Sequence, residues 1–351
     1  MNLLSQIEAR VVLVQQVINN SIFSTTKVNI EPPPFTIDHH ESIFTIGSCF
    51  ASEISNQLQK SFISVSSNPF GTIYNIKSIF DNLKRIIDSK EFTDLDIEYY
   101  NGKYLSYETT TEFDSNNKKN TLDLLNKRLS EASLQLKEAK TIIITPGTSV
   151  IYSYNNNIVA NCHKVPLTNF IKSILTVDRT TKILSDIVRI LQDFNKNINI
   201  ILTLSPVRHT LSNLTENQYS KSVIRCAIEE TILSNNSKHI YYFPSYEIVM
   251  DELRNYEVYC DDGAHIKEKY IQYITDLFMK ECFVKSFIKQ LTDLRYLIGL
   301  LNHNQKDINH NLTIENNNKI EKELQEIRKK DHQLYNNICN YYKIKNHPFF
   351  I

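Results

Sequence analysis

Short, unbroken apolar runs alternate with amphipathic stretches between residues 40 and 282. Four of these runs are bounded by Pro, Gly or polar residues, and we expect each to form a strand: IFTI (43–46), TIIIT (141–145), NIILTL (199–204) and HIYYF (239–243). FISV (62–65) is a fifth candidate strand. Strands that are apolar throughout and separated by helices are typical of a parallel sheet covered on both faces. The pattern therefore predicts a three-layer α/β/α domain.

Helical spacing of apolar residues predicts the covering helices. The predicted helices span residues 51–60, 75–88, 121–139, 178–194 and 219–234. Asn101-Gly102 lies between two short stretches of β-forming residues, and this dipeptide favours a hairpin turn. In such a sheet the ligand site lies beyond the carboxyl ends of the strands.

The two ends of the chain follow a different pattern. Residues 2–19 have a helical spacing and precede the Pro32-Pro33-Pro34 break, which indicates an N-terminal helical arm over 1–34. Amphipathic helices are predicted over 282–301 and 316–343. We therefore expect a main α/β/α domain over 35–282 and a C-terminal helical extension over 283–351. The extension would provide a packing or partner surface, including one for a homo-oligomer.

Composition excludes several classes of function. The 351 residues include 39 Lys+Arg and 39 Asp+Glu, and zero net charge argues against binding to nucleic acid or another polyanion. The six glycines are too widely spaced for a GxGxxG or Walker phosphate loop, so no nucleotide cofactor is expected. No CxxC or HExxH motif occurs, so neither a metal nor a redox pair is predicted.

The first residues do not suggest a targeting signal. Glu8 and Arg10 interrupt the N-terminal apolar run and no basic stretch precedes it, unlike a secretory signal. We find no uninterrupted apolar stretch long enough to span a membrane. We therefore expect a cytoplasmic protein with free thiols and no integral membrane segment.

Two short segments could carry chemistry. In IGSCFASEI a predicted strand ends at a glycine, Ser48 and Cys49 follow, and a helix starts, so a nucleophile there would lie in the positive field of a helix N-terminus. In CDDGAH, Asp262 precedes His265 by three positions and could orient it as a general base. Taken singly, either segment is also compatible with a purely structural turn.

A set of sequence blocks resembles the GSCFA-domain family, itself similar to the SGNH/GDSL hydrolases. The blocks occur in the order GSCF, NPFGTIYN, TPGTSVIY, VANCHKVP, TLSPVRHT, ENQYSKSV, YFPSYEIVMDELR and YCDDGAHI, and the resemblance covers about residues 35–280. It implies a flavodoxin-like sheet with a nucleophile in the first block and an Asp-x-x-His pair in the last. It also implies oxyanion donors at Gly71, Gly147 and Thr148.

The superfamily register leaves two candidates for the nucleophile. The superfamily has Gly-Asp-Ser in the first block. When its glycine is aligned with Gly47, Cys49 takes the position of the nucleophile and Ser48 that of the aspartate. For Ser48 to be the nucleophile, the turn would have to shift by one residue. We favour Cys49. Thr148 stands where the superfamily has asparagine, and its hydroxyl can still donate a hydrogen bond. No histidine occurs in SYETTTEF (106–113), where we would expect one in family members.

Four further residues could bind substrate. Asn161 and His163 could line the site if their loop folds over the sheet edge, as the resemblance suggests. Arg208 and His209 follow the fourth main strand. They could bind an anionic or sugar group, or cap the next helix.

These assignments predict acyl-ester chemistry through a covalent acyl-enzyme. The expected activity is that of an esterase removing small O-acyl groups such as acetyl from a carbohydrate, without a cofactor. The alternative is an O-acyltransferase that uses acyl-CoA as donor and a glycan precursor as acceptor. A non-catalytic glycan-binding or scaffold module is the remaining alternative.

Overall fold

A computed structural model of the chain describes residues 26–235, 237–304 and 310–344. The predicted helix over 2–19 lies outside these residues. The strands are β1 (Ile43–Gly47), β2 (Val65–Ser67), β3 (Glu98–Tyr100), β4 (Lys103–Leu105), β5 (Thr141–Thr145), β6 (Val150–Tyr154), β7 (Asn157–Val159), β8 (Ile171–Ile174), β9 (Asn199–Leu202) and β10 (Ile240–Tyr242).

The central sheet has five parallel strands in the order β10-β9-β5-β1-β2. Every position of β1 and β5 is buried, as expected for strands covered on both faces. Successive residues face opposite layers: Ile143 packs into one hydrophobic core, whereas Ile142 and Ile144 pack into the other. The predicted three-layer α/β/α fold is confirmed.

Helices cover both faces of this sheet. They are α1 (Cys49–Lys60), α2 (Ile76–Ile87), α3 (Lys118–Glu138), α4 (Val177–Phe194), α5 (Leu214–Ser234), α6 (Glu268–Cys282), α7 (Lys285–Asn304), α8 (His310–Lys330) and α9 (His332–Ile344). Apolar residues of α1 and α6–α9 contribute to one core, and those of α2–α5 contribute to the other. None of the described helices is both long enough and apolar enough to cross a membrane.

Two small antiparallel sheets lie outside the central one. β3 and β4 form the predicted hairpin, with Asn101 and Gly102 at positive φ in its turn. β6 pairs with β7 on one side and with β8 on the other, a sheet that the sequence patterns did not reveal. It follows β5 directly and forms one wall of the cavity described below.

Several predicted boundaries are wrong, including that of the helix predicted over 219–234, which starts at Leu214. The strand predicted over 62–65 is displaced to Val65–Ser67, because Phe62 adopts φ +64° and packs with Ile63 into the core beneath the turn after α1. The helix predicted over 282–301 starts at Lys285, and the preceding helix α6 was missed. The helix predicted over 316–343 is two helices that meet at Asp331, whose carboxylate accepts the Leu334 N–H and caps α9.

Candidate functional site

The turn after β1 places Ser48 and Cys49 at the carboxyl edge of the sheet. Gly47 has φ +145°, and a Cβ there would lie 2.2 Å from the Thr145 carbonyl oxygen, so only glycine fits. Asn68, just after β2, accepts the Gly47 N–H at 2.8 Å and donates to Ser52 Oγ at 2.7 Å. The neighbouring strand therefore fixes the start of α1.

Ser48 and Cys49 differ in their access to solvent. Ser48 is 1% exposed, its N–H donates to the Thr145 carbonyl oxygen, and no described residue offers its hydroxyl a hydrogen-bond partner. Cys49 is half-buried and lines a large cavity at this edge of the sheet. Of the two side chains, the thiol is therefore the one that a substrate in this cavity can reach.

Several neighbours act on the Cys49 thiol. Burial raises its pKa above the ordinary 9.0, and the Glu53 carboxylate also raises it. The backbone N–H groups of Phe50 and of Cys49 itself lower the pKa, as does the charge of Lys221. Because burial dominates, the thiol is protonated at neutral pH and needs a base to become a nucleophile.

The Asp262–His265 pair, the candidate base, lines the same cavity. His265 Nδ1–H donates to Asp262 Oδ2 at 2.5 Å, and Asp262 Oδ1 accepts the N–H groups of Ala264 and His265 at 2.9 and 3.0 Å. The His265 hydrogen bond, followed by that from Ala264, lowers the pKa of Asp262 to about 2. Asp262 is therefore ionised at neutral pH and holds the ring in the tautomer with a free Nε2 lone pair.

Arg208 braces the loop that carries this pair. Its Nη1 donates to the Gly263 carbonyl oxygen at 2.9 Å, and its guanidinium lies 3.9 Å from the centre of the Tyr259 ring. The Arg208 N–H also donates to the Ala264 carbonyl oxygen. Arg208 lines the cavity as predicted for a substrate-binding residue, but these contacts also make it a support for the base.

Lys221 on α5 is a site residue that the sequence patterns did not reveal. Its side chain is fully buried, and Nζ donates to the carbonyl oxygens of Gly147, Ser205 and Val207 at 2.6, 2.7 and 2.8 Å. It thereby ties the segments after β5 and β9 together beneath the cavity. Burial lowers the pKa of Lys221 to about 7, and the interaction with Cys49 opposes this shift.

The predicted oxyanion donors are placed differently from one another. Gly71 N–H donates to the Asn68 carbonyl oxygen, so this expectation is corrected: Gly71 forms a turn at φ +81° and does not line the cavity. The N–H groups of Gly147 and Thr148 both donate to the Tyr74 carbonyl oxygen, and Gly147 does not line the cavity, so the expectation for Gly147 is corrected as well.

The remaining candidate donors are the Thr148 hydroxyl and two backbone N–H groups of α1. The Thr148 hydroxyl lines the cavity, accepts the Val150 N–H and shares a hydrogen bond with Ser220 Oγ. The N–H groups of Cys49 and Phe50 at the start of α1 act directly on the Cys49 sulfur. These groups are the best-placed oxyanion donors of the arrangement.

His209 presents a neutral ring to the cavity. Burial, and then the charge of Lys221, lower its pKa to about 4. Neither ring nitrogen has a hydrogen-bond partner among the described residues. Both nitrogens are buried, and the neutral ring carries no charge with which to bind an anion.

Asn161 and His163 are both predicted to bind substrate, but the structure gives them different roles. Asn161 lines the cavity, and its Oδ1 accepts the His163 N–H. The side chain of His163 is fully buried, its Nδ1 lies 3.0 Å from Asp114 Oδ1, and its Nε2 faces the carbonyl oxygens of Ser106 and Thr109. The expectation that His163 binds substrate is therefore corrected: its ring anchors the 106–114 loop.

The cavity has a volume of about 1010 Å³. Cys49, Asp262 and His265 contribute to its wall, together with Thr148 and His209. The β6–β8 sheet and the segment after β9 form much of the remainder, and the Lys172–Glu216 ion pair joins β8 to α5 at 2.7 Å. A thiol, an imidazole held by a carboxylate and a helix N-terminus thus line one cavity.

The fold and this strand–turn–helix site define an α/β/α protein with a candidate nucleophile at the carboxyl edge of its sheet. The family model described as the GSCFA family matches residues 42–278. The chain belongs to the GSCFA family, as the sequence blocks predicted.

Other comparisons give distant likenesses only. A family 3 carbohydrate esterase from Clostridium thermocellum shares 12% identity at a TM-score of 0.33, covering 72% of this chain and 98% of that chain. An acetyl xylan esterase from the rumen bacterium Butyrivibrio proteoclasticus shares 12% identity at a TM-score of 0.30, covering 62% of this chain and 56% of that chain. A search of curated proteins gave no match.

Proposed function

We propose that the protein is an ester hydrolase that forms a covalent acyl-enzyme on Cys49. The observation that carries the proposal is that Cys49 lines the same cavity as His265, whose ring Asp262 holds with Nε2 free. Ser48, the alternative nucleophile, has a buried hydroxyl. Because burial raises the pKa of the thiol, the reaction depends on the base rather than on a preformed thiolate.

The steps follow from the positions of these groups. His265 Nε2 takes the proton from Cys49 Sγ as the sulfur attacks the ester carbonyl carbon. The oxyanion accepts hydrogen bonds from the first-turn N–H groups of α1 and the Thr148 hydroxyl. His265 then protonates the departing alkoxide, which leaves a thioester on Cys49. Water, deprotonated by His265, hydrolyses the thioester and restores the thiol.

A carbohydrate ester is the substrate class that we propose. The neutral His209 ring and Asn161 both line the cavity, so neither side chain brings a charge that would favour an anionic group. Sugar hydroxyls need such neutral partners. The volume of about 1010 Å³ accommodates more than an acetyl group. The proposed substrate is therefore a small O-acyl ester of a sugar.

Acyl transfer is a second candidate, favoured by the thiol. A thioester intermediate remains reactive toward alcohols, and the cavity has room for an acceptor beside the acylated sulfur. Acyl-CoA would then be the donor and a glycan hydroxyl the acceptor. Loss of acetyl-CoA only when a sugar acceptor is present would favour transfer, whereas acetate release from an acetylated sugar in water would favour hydrolysis.

Brief exposure to p-nitrophenyl acetate, followed by peptide mass spectrometry, tests the covalent step. We expect one acetyl group on Cys49, removable by neutral hydroxylamine as a thioester is, and its loss in Cys49→Ala but not in Ser48→Ala. His265→Ala should remove this label. The exposed Cys226 is an internal control, because any background acetylation there should not depend on His265. Acetylation of Ser48, or an undiminished Cys49 label without His265, would contradict the mechanism.

A further inference from the structure

A second cluster of reactive side chains lies at the opposite edge of the sheet. Asp38, His39 and His40 precede β1, so they lie at the amino edge of the strands, away from Cys49. Asp331, at the junction of α8 and α9, approaches them from the C-terminal helices. The proposed acyl chemistry uses none of these residues.

Three donor atoms of this cluster converge. One ligand atom from each of Asp38, His39 and His40 can be chosen so that all lie within 4.8 Å of one another. Asp38 Oδ1 lies 2.7 Å from His40 Nδ1 and 3.3 Å from His39 Nδ1. Two imidazole nitrogens and one carboxylate oxygen form a common ligand set for divalent first-row transition metals.

Asp331 sets the tautomer of both rings. His39 Nε2 lies 2.7 Å from Asp331 Oδ2, and His40 Nε2 lies 2.9 Å from Asp331 Oδ1. A carboxylate can only accept here, so each Nε2 carries a proton and donates it. The neutral His39 ring then leaves its Nδ1 lone pair unpaired, whereas His40 Nδ1 shares a proton with Asp38 Oδ1 at 2.7 Å, and a metal ion would have to displace that proton. Metal-binding histidines are held in this way by a carboxylate behind the ring.

The His39 nitrogen needs a partner. The His39 side chain is 7% exposed, and its ring stacks on Phe287 with centres 4.4 Å apart. Its Nδ1 is buried and makes no hydrogen bond to any described residue. A buried polar atom without a partner destabilises the fold, and a bound cation would satisfy it. The same cation would replace the proton that lies between Asp38 Oδ1 and His40 Nδ1.

We propose that Asp38 Oδ1, His39 Nδ1 and His40 Nδ1 bind one divalent transition-metal ion, of which zinc best fits two imidazoles and a carboxylate. Asp38 and His40 are partly exposed, so water can complete the coordination shell. Because Asp331 holds both rings, the ion would tie the segment before β1 to the α8–α9 junction. The site is structural and stands apart from the proposed acyl chemistry.

Zinc titration of the full-length, tag-free, chelator-treated protein tests this site. We expect one zinc per chain by calorimetry and native mass spectrometry, and a higher unfolding temperature when zinc is bound. Asp38→Asn and His40→Gln change partly exposed side chains, so both should fold, and each should weaken zinc binding by at least about tenfold. His332→Gln is the matched control: this exposed histidine adjoins Asp331 but contacts Asn336, and its loss should leave affinity unchanged.

Three outcomes would overturn the proposal. The first is the absence of stoichiometric zinc binding to the folded wild type, which would mean that a second ring proton on His40 fills the gap. The second is undiminished affinity in both Asp38→Asn and His40→Gln. The third is a thiolate-to-metal charge-transfer band after cobalt substitution, which would place the metal on a cysteine. Circular dichroism of each variant confirms that it is folded.

Discussion

Burial of Lys221 should make stability depend on pH in a defined window. Its ammonium donates to three carbonyl oxygens, yet burial lowers its pKa from 10.5 to about 7. In the unfolded chain the ordinary value of 10.5 applies. Between these two values the unfolded state therefore binds more protons than the folded state, and stability rises with pH.

The expected size follows from the two pKa values. Stability gains up to about 1.36 kcal/mol per pH unit inside the window, which integrates to about 3 kcal/mol between about pH 7 and about pH 9.5. Below about pH 7 both states hold the proton and the contribution is constant. Lys221→Met keeps the length of the side chain but cannot titrate, so the stability of the wild type relative to the variant should rise by this amount.

Urea unfolding of both proteins across this pH range measures the effect. Far-ultraviolet circular dichroism and tyrosine fluorescence serve as two probes, since the chain has 19 Tyr and no Trp. Repeating the comparison in a Cys49→Ala background removes the thiol that interacts with Lys221. A difference between wild type and variant that stays flat from about pH 6 to about pH 9.5 would refute the argument, because it would mean that the three carbonyl groups keep the ammonium protonated.

Two further substitutions test the site and its supports. Asp262→Asn should lower turnover of an acetyl ester on the order of 1000-fold or more with little change in stability, because an amide cannot fix the His265 tautomer; near-normal turnover would remove Asp262 from the mechanism. Gly71→Ala should cost about 1–3 kcal/mol more than Gly102→Ala. Both glycines have φ +81°, but a Cβ at Gly71 would lie 1.9 Å from Thr110 Oγ1 whereas Gly102 is open, so equal costs by urea unfolding would exclude the clash.

Features that depend only on residues close together in the sequence could be predicted from it. TIIIT forms a buried strand because every position is apolar or small, and Asn101-Gly102 forms a turn because both can adopt positive φ. Asp262 and His265 lie three positions apart, so one turn suffices to join them. The prediction of a strand over FISV (62–65) is wrong because Phe62 and Ile63 pack into the core from a turn rather than from a strand.

Long-range partners could not be predicted in this way. A lysine in an amphipathic helix is normally expected at the surface, so only the fold reveals that Lys221 meets carbonyl groups from two other segments. His163 looked available because its partner Asp114 is distant in sequence. Asp331, where α8 and α9 meet, contacts His39 and His40, which lie 292 and 291 positions earlier in the chain. Such pairings leave no periodic signal in the chain.

The hydrophobic core that α1 shares with α6–α9 limits how this protein can be truncated. The family match ends at residue 278, yet Phe287, Leu294 and Ile338 from later helices pack into the same core as Ile54 and Ile274. A gene fragment cut where the family resemblance ends would expose that layer to water and aggregate rather than report on catalysis. Stretches that diverge in sequence can thus be required for folding, and recombination or truncation experiments should carry α7–α9 along with the rest.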